Sequence, residues 1–114
     1  MIKSIILNVD LESGDDSMIT SEIIEEFKER MHIDGDEDAY LTRILIASEQ
    51  ALKDVCGDYD IELDDDFKEL VFERSRYVYN DALEYFEKNF LTRINTLSMK
   101  KALEEVQGDD DAAI

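Results

Sequence analysis

The chain contains no proline and no tryptophan, one cysteine, one histidine and four glycines. Each scarcity removes an architecture. Without proline, and with so little glycine, no stretch has the composition of a flexible linker, so the 114 residues read as one domain with a single modest core. Cys56 has no cysteine partner and stands at the end of an apolar helical pattern, which makes it a small buried hydrophobe. One histidine and one cysteine do not supply a zinc-ligand set. Basic residues are scarce as well: 12 Lys and Arg oppose 30 Asp and Glu, a net charge of -18. Such a surface repels nucleic-acid phosphates and anionic lipid. The hydrophobic fraction of 44% is ordinary, so these charges coat a folded chain. Long apolar runs are missing too. The patch Ile5, Ile6, Leu7 is followed at once by Asn8 and Asp10, so neither a signal peptide nor a membrane span is expected.

What the chain does have is helical periodicity, clearest over residues 31–57. Asp34, Gly35 and Asp36 suit a turn, and Asp36 is placed to cap a helix in whose first turn Glu37 and Asp38 meet the positive end of the dipole. Leu41, Ile44, Leu45, Ala51, Leu52 and Val55 describe one apolar face, with Ser48 at a close contact and Gly57 as the stop. Before this helix, Ile5, Leu7, Val9 and Leu11 alternate as in a short strand. Residues 1–18 therefore read as a strand-like arm and loop, free to pair with residues 59–63, to pair across subunits or to remain a lone arm. Thr20 or Ser21 caps a first helix running to Met31, with Ile23, Ile24, Phe27 and Met31 inward and Glu26 spaced to pair with Arg30. His32 is a boundary residue at that helix end.

The segment 58–66 holds Asp58, Asp60, Glu62, Asp64, Asp65 and Asp66. A calcium loop would need Gly at its sixth position and Glu at its twelfth. Started at Asp34 it meets Ala39 and Leu45, and started at Asp58 it meets Leu63 and Glu69. The stretch therefore reads as a solvated loop that ends in a helix cap at Asp65 or Asp66, with no metal. A long third helix is expected over residues 67–89, with Phe67, Leu70, Val71, Val78, Ala82, Leu83 and Phe86 on one face, Ser75 at a close crossing and Glu84 spaced to pair with Lys88. Phe72, Tyr79 and Tyr85 fall off that stripe and suggest a second face, which in a small protein suggests another subunit. Residues 90–96 are short, apolar and β-tolerant, Ser98 can cap a short last helix carrying Met99, Ala102, Leu103 and Val106, and residues 107–114 read as a disordered acidic tail. The fold class is thus all-α: three main helices and a short C-terminal one in a domain spanning residues 19–106, preceded by the strand-like arm.

One segment reverses the charge. From Lys88 to Leu103 there are four basic residues, Lys88, Arg93, Lys100 and Lys101, and no acidic one. Four charges on so acidic a body bind nucleic acid weakly at physiological salt, and docking on an acidic neighbour fits better. The candidate interface comprises Phe90, Leu91, Arg93, Ile94, Leu97, Lys100 and Lys101 on one side, and the acidic loop residues Asp58, Asp60 and Asp64 on the other.

The phrase RMHIDGDEDAYLTRILIASEQAL, an acidic loop, a helix with RYVYNDALEYF and a closing SMKKALEEV resemble the head-tail connector (adaptor, or head-completion) proteins of tailed bacteriophages. The matching positions are Met31, His32, Ile33, Asp34, Asp36, Asp38 and Ala47, with Tyr77 or Tyr79 for the tyrosine of the long helix, and the likeness covers residues 19–106. The first eighteen residues depart from the family's usual start. The resemblance implies a virion protein at the capsid-tail junction, present in the host cytoplasm during assembly. It implies a ring of copies, typically twelve, under the portal protein, joined to the next tail or stopper protein, with DNA passing through unbound and no membrane involved. In such a ring a basic segment of one copy can meet the acidic loop of the next. The alternative from composition is an acidic DNA mimic that inhibits a host nucleic-acid-binding protein. An enzyme is not expected, because no nucleophile and base, ligand set or cofactor site can be assembled from these residues.

Overall fold

In a computed structural model the described residues run from Ile19 to Ala113, with side chains described to Val106. The strand-like arm and loop of residues 1–18 lie outside them. The fold is all-α: α1 (Ser21–Met31), α2 (Asp38–Cys56), α3 (Asp65–Tyr79), a 3-10 turn (Leu83–Tyr85) and α4 (Phe86–Ala113). Among the described residues there is no strand, and residues 59–63, considered above as a pairing partner, form a turn instead.

The helix boundaries follow from local chemistry. Thr20 caps α1, its hydroxyl accepting from the Ile23 amide at 3.2 Å. At the other end His32 adopts φ 60, and its amide and that of Ile33 return to the carbonyls of Glu29 and Lys28. That is a left-handed stop of the Schellman type, made without glycine. The α2 start differs from the expected one. Glu37, not Asp36, occupies the cap position and makes no capping bond, because its carboxylate accepts the Tyr79 hydroxyl at 3.1 Å.

The long helix expected over residues 67–89 is broken. Asp81 takes φ 59, and the amides of Asp81 and Ala82 bond the carbonyls of Val78 and Tyr77, a second glycine-free Schellman stop. Asn80 adds its side-chain amide to the Arg76 carbonyl at 3.0 Å. The chain then turns through Leu83–Tyr85 and starts α4, which absorbs the segment read as β-tolerant and keeps one non-helical residue, Phe90. The backbone of residues 107–113, read above as a tail, continues this helix.

α2 is the centre of the bundle, packing against α1, α3 and α4. Leu41, Ile44, Leu45 and Leu52 of α2 meet Phe67, Leu70 and Val71 of α3, while Phe86, Ile94 and Leu97 of α4 close the far side. Phe72 is buried rather than set aside for another subunit, because α1 crosses that second face of α3 and places Phe27 at 5.4 Å from it, ring centre to ring centre. Tyr85 stays exposed. Charges stitch the same crossing: Arg30 pairs with Glu69 and Glu73, and Lys68 reaches Glu26 at 3.0 Å, so the expected Glu26–Arg30 pair within α1 is replaced by bonds between helices. The hydrogen bond from Arg30 holds the Glu69 carboxyl below the ordinary glutamate range. Ser48 and Ser75 are fully buried, as small residues at close crossings. No described helix is long and apolar enough to cross a membrane.

Candidate functional site

The basic segment and the acidic loop, assigned from sequence to two sides of an intersubunit contact, lie beside each other in one chain. Gly57 leaves α2 at φ 114 and lets the chain pass close under Lys101. Two residues on, Tyr59 turns inward, stacks on Phe67 with ring centres 5.5 Å apart and donates its hydroxyl to the Leu97 carbonyl at 2.7 Å. The Lys101 ammonium sits 4.4 Å from the centre of the Tyr59 ring and 3.5 Å from Glu104. Burial, with the nearby carboxylates of Glu104 and Asp64, pushes the Tyr59 hydroxyl above its ordinary pKa, so it stays a donor. Cys56 beneath it is buried, with its thiol raised by desolvation and aimed at the Ile94 carbonyl at 3.8 Å. The loop is thus less solvated than its composition suggests, since Tyr59 and Ile61 anchor it in the core.

The three loop carboxylates differ in their work. Asp64 is the cap of α3, accepting from the Phe67 amide at 2.9 Å, so the cap precedes both expected positions, Asp65 and Asp66. Asp60 accepts from the Glu62 amide at 2.9 Å, a local turn bond. Asp58 is solvent-exposed, 3.9 Å from Lys53. Asp64→Ala is expected to lower stability by about 1 kcal/mol in urea unfolding, and Asp64→Asn to keep most of it, because either oxygen can receive the Phe67 amide.

On α4 the expected interface residues divide by face. Ile94 and Leu97 are buried in the chain's own core, so they are unavailable to a neighbour; once residues 90–96 are helical, Phe86, Phe90, Ile94 and Leu97 fall on one inner stripe. Phe90 is half-buried, stacked on Phe86 at 5.0 Å and edge-on to Tyr77 at 5.8 Å. Arg93 covers the Phe90 ring at 5.9 Å and faces a small hollow lined by Asp66, Leu70 and Thr96. Leu91 and Lys100 face solvent. On the outer side of the same helix, Met99, Leu103 and Val106 project outward, each more than half exposed.

A feature that the sequence reading passed over lies between α2, α3 and the start of α4. Leu52, Val55, Leu83 and Phe86 line a cleft of about 280 Å³ together with Arg74, Glu87 and Ile94. The Arg74 guanidinium donates to the Ser48 hydroxyl at 3.1 Å and makes no ion pair among the described residues; its burial alone lowers its pKa. The signal was in the sequence: Arg74 interrupts the inward stripe of Leu70, Val71, Ser75 and Val78. Among the described residues no group of three His, Cys, Asp or Glu side chains is disposed to hold a metal ion. No family model, no curated protein and no solved structure matches this chain.

Proposed function

We propose that this protein is a non-enzymatic structural adaptor that assembles as a ring between the portal of a tailed-phage capsid and the first tail component. The observation that carries the reading is a pair of unlike apolar surfaces on one small helical chain. One is the outward row Met99, Leu103 and Val106, and the other is the cleft bordered by Val55 and Leu83. A cyclic assembly needs two such patches, because each copy presents a different face to each neighbour. The charge agrees with a channel role. A wall carrying the carboxylates of a -18 chain gives passing DNA no site to adhere to.

The shape supports the reading in the same way. The radius of gyration is 16.3 Å, against about 13 Å for a compact chain of this size. α4 contributes to this excess: it is the longest described helix, interrupted at Phe90, and its residues 102–106 all stand exposed. The proposal predicts that the tagged chain, produced with portal-bearing capsids, co-sediments with them as a ring visible by electron microscopy. A chain that ignores capsids and instead captures a basic nucleic-acid-binding protein in a salt-sensitive complex overturns the adaptor reading in favour of a DNA mimic.

A further inference from the structure

The break between α3 and α4 is made by a sequence that does not require one. Between Gly57 and Gly108 the chain has neither glycine nor proline, so nothing in residues 80–85 forbids a continuous helix. At 100° per residue, Phe67, Val71, Val78, Ala82 and Phe86 would share one side of such a helix, within about 100° of one another. In the folded chain the turn rests instead on Asp81 at φ 59, a left-handed conformation that costs a residue with a Cβ free energy. Straightening the turn loses no backbone bond. The amides of Asp81 and Ala82, now on the carbonyls of Val78 and Tyr77, would exchange those two acceptors in a regular helix. Little packing is lost at the turn either, because Leu83 is 40% and Tyr85 55% exposed.

What keeps the turn closed is the inner face of α4. Phe86, Ile94 and Leu97 are buried in the bundle, Phe86 meets the Tyr77 ring at 5.7 Å, and the Leu97 carbonyl accepts the Tyr59 hydroxyl at 2.7 Å. A chain that straightened alone would strip all of these and expose the core beneath them. A second copy that straightens with it restores each one, because its α4 carries the same residues as the α4 it replaces. The seat left by α4 therefore has one occupant that fits it without adjustment, the α4 of another copy.

We propose that residues 80–85 are the hinge of a domain swap, in which α3 and α4 join into one helix and α4 of each copy packs on α2 and α3 of the other. The exchange is reciprocal and closes as a two-fold dimer, each chain's Tyr59 hydroxyl bonding Leu97 of the partner subunit. The gain over two closed monomers is the release of Asp81 from its left-handed conformation and the added helical turns, once per chain. Opposing it are the lost freedom of two molecules and the repulsion of two chains of charge -18. Salt screens that repulsion, so the dimer strengthens as ionic strength rises, the reverse of a contact made by ion pairs. The swap does not rest on the adaptor reading and is tested without a capsid.

The test uses the full chain with Asp81→Ala and Asp81→Gly, both at an exposed position. Each is refolded from urea at about 1 mM, where closure between chains competes with closure within one, and mass is read by sedimentation with circular dichroism to confirm helicity. Alanine favours the helix and resists the left-handed turn, so Asp81→Ala should tighten the dimer at least about tenfold; glycine does the opposite and should weaken it by a similar factor. Spin labels at Asp66→Cys and Thr96→Cys identify the form. The two residues line one hollow in the closed chain, and the native Cys56 is buried from the label. In dimers of a labelled chain diluted into unlabelled copies, their separation should open to roughly 40 Å as α3 and α4 come into line. A dimer whose labels stay close is built from closed chains and overturns the swap. So does a dimer that the two variants leave unchanged or shift the same way, and so does a chain that stays monomeric at high salt even as Asp81→Ala. In each case the adaptor reading is left to its own test on capsids.

Discussion

Phe72→Ala is expected to remove about 3–5 kcal/mol of folding stability, the largest loss among single truncations outside α2. The side chain is 1% exposed. Its ring packs at 5.4 Å from Phe27, the only fully buried aromatic of α1, and carries the Arg30 guanidinium at 5.5 Å from its centre. Truncation opens a cavity at the α1–α3 crossing, where the side-chain ion pairs of Arg30 with Glu69 and Glu73 resist collapse. It also removes the face on which Arg30 rests. Urea unfolding should show the midpoint falling with little change in slope, so that the loss belongs to the native state. Since small domains hold about 5–15 kcal/mol in all, a fraction of the variant would be unfolded near body temperature. Tyr85→Ala, at a ring that is more than half exposed, should stay within about 0.5 kcal/mol of the parent. Equal effects at the two sites would mean that α1 does not cover α3.

Phe72 also marks where periodicity stops being informative. The stripe of α3 was legible as one face, and Phe67, Leu70 and Val71 are indeed buried. A helix crossed by two others is apolar on two sides, and then the residues off the main stripe look like a surface for someone else. Glu73 reinforced the error: it is nearly buried yet satisfied by both Arg30 and Arg76, an arrangement that spacing within one helix does not reveal. Helix stops were legible at Gly57 and at His32, which the pattern places just past the first helix, and illegible at Asp81, where no glycine marks the left-handed residue. The missed break at Asn80–Asp81 had a further consequence. It shifted residues 90–96 out of the helical frame, so Ile94 and Leu97 were assigned outward when their frame turns them inward. Met99, Leu103 and Val106 were named as the apolar residues of the last helix, and only the folded bundle shows that they stand more than half exposed among the described residues.

Gly57→Ala is the second large effect expected, at about 2–4 kcal/mol, from a residue with no side chain to lose. Gly57 holds φ 114 and ψ 178, a region essentially confined to glycine, and forcing a Cβ into it costs on the order of 1–3 kcal/mol. Space is also lacking, because an added Cβ would stand 2.5 Å from Lys101 Cγ and 3.1 Å from its Cβ. These are the root of the lysine side chain, not its flexible end, so Lys101 must leave the Tyr59 ring or α4 must shift. The cation-π contact is worth roughly 0.5–1 kcal/mol at such a site. If steric conflict with Lys101 carries part of the effect, then Lys101→Ala should relieve it. The double variant should be less destabilised than the sum of the singles by at least about 0.5 kcal/mol. Strict additivity would assign the whole loss to backbone strain. The same substitution reaches the outward row of α4, because Gly57, Tyr59 and Lys101 clasp the bundle to the stretch of α4 that carries its first member, Met99. Loosening it should leave the helical residues of the far α1–α3 crossing protected in hydrogen exchange while α4 beyond Leu97 exchanges faster. Protection lost evenly across all four helices would instead make the clasp part of the global fold and not a local hold on the projecting helix.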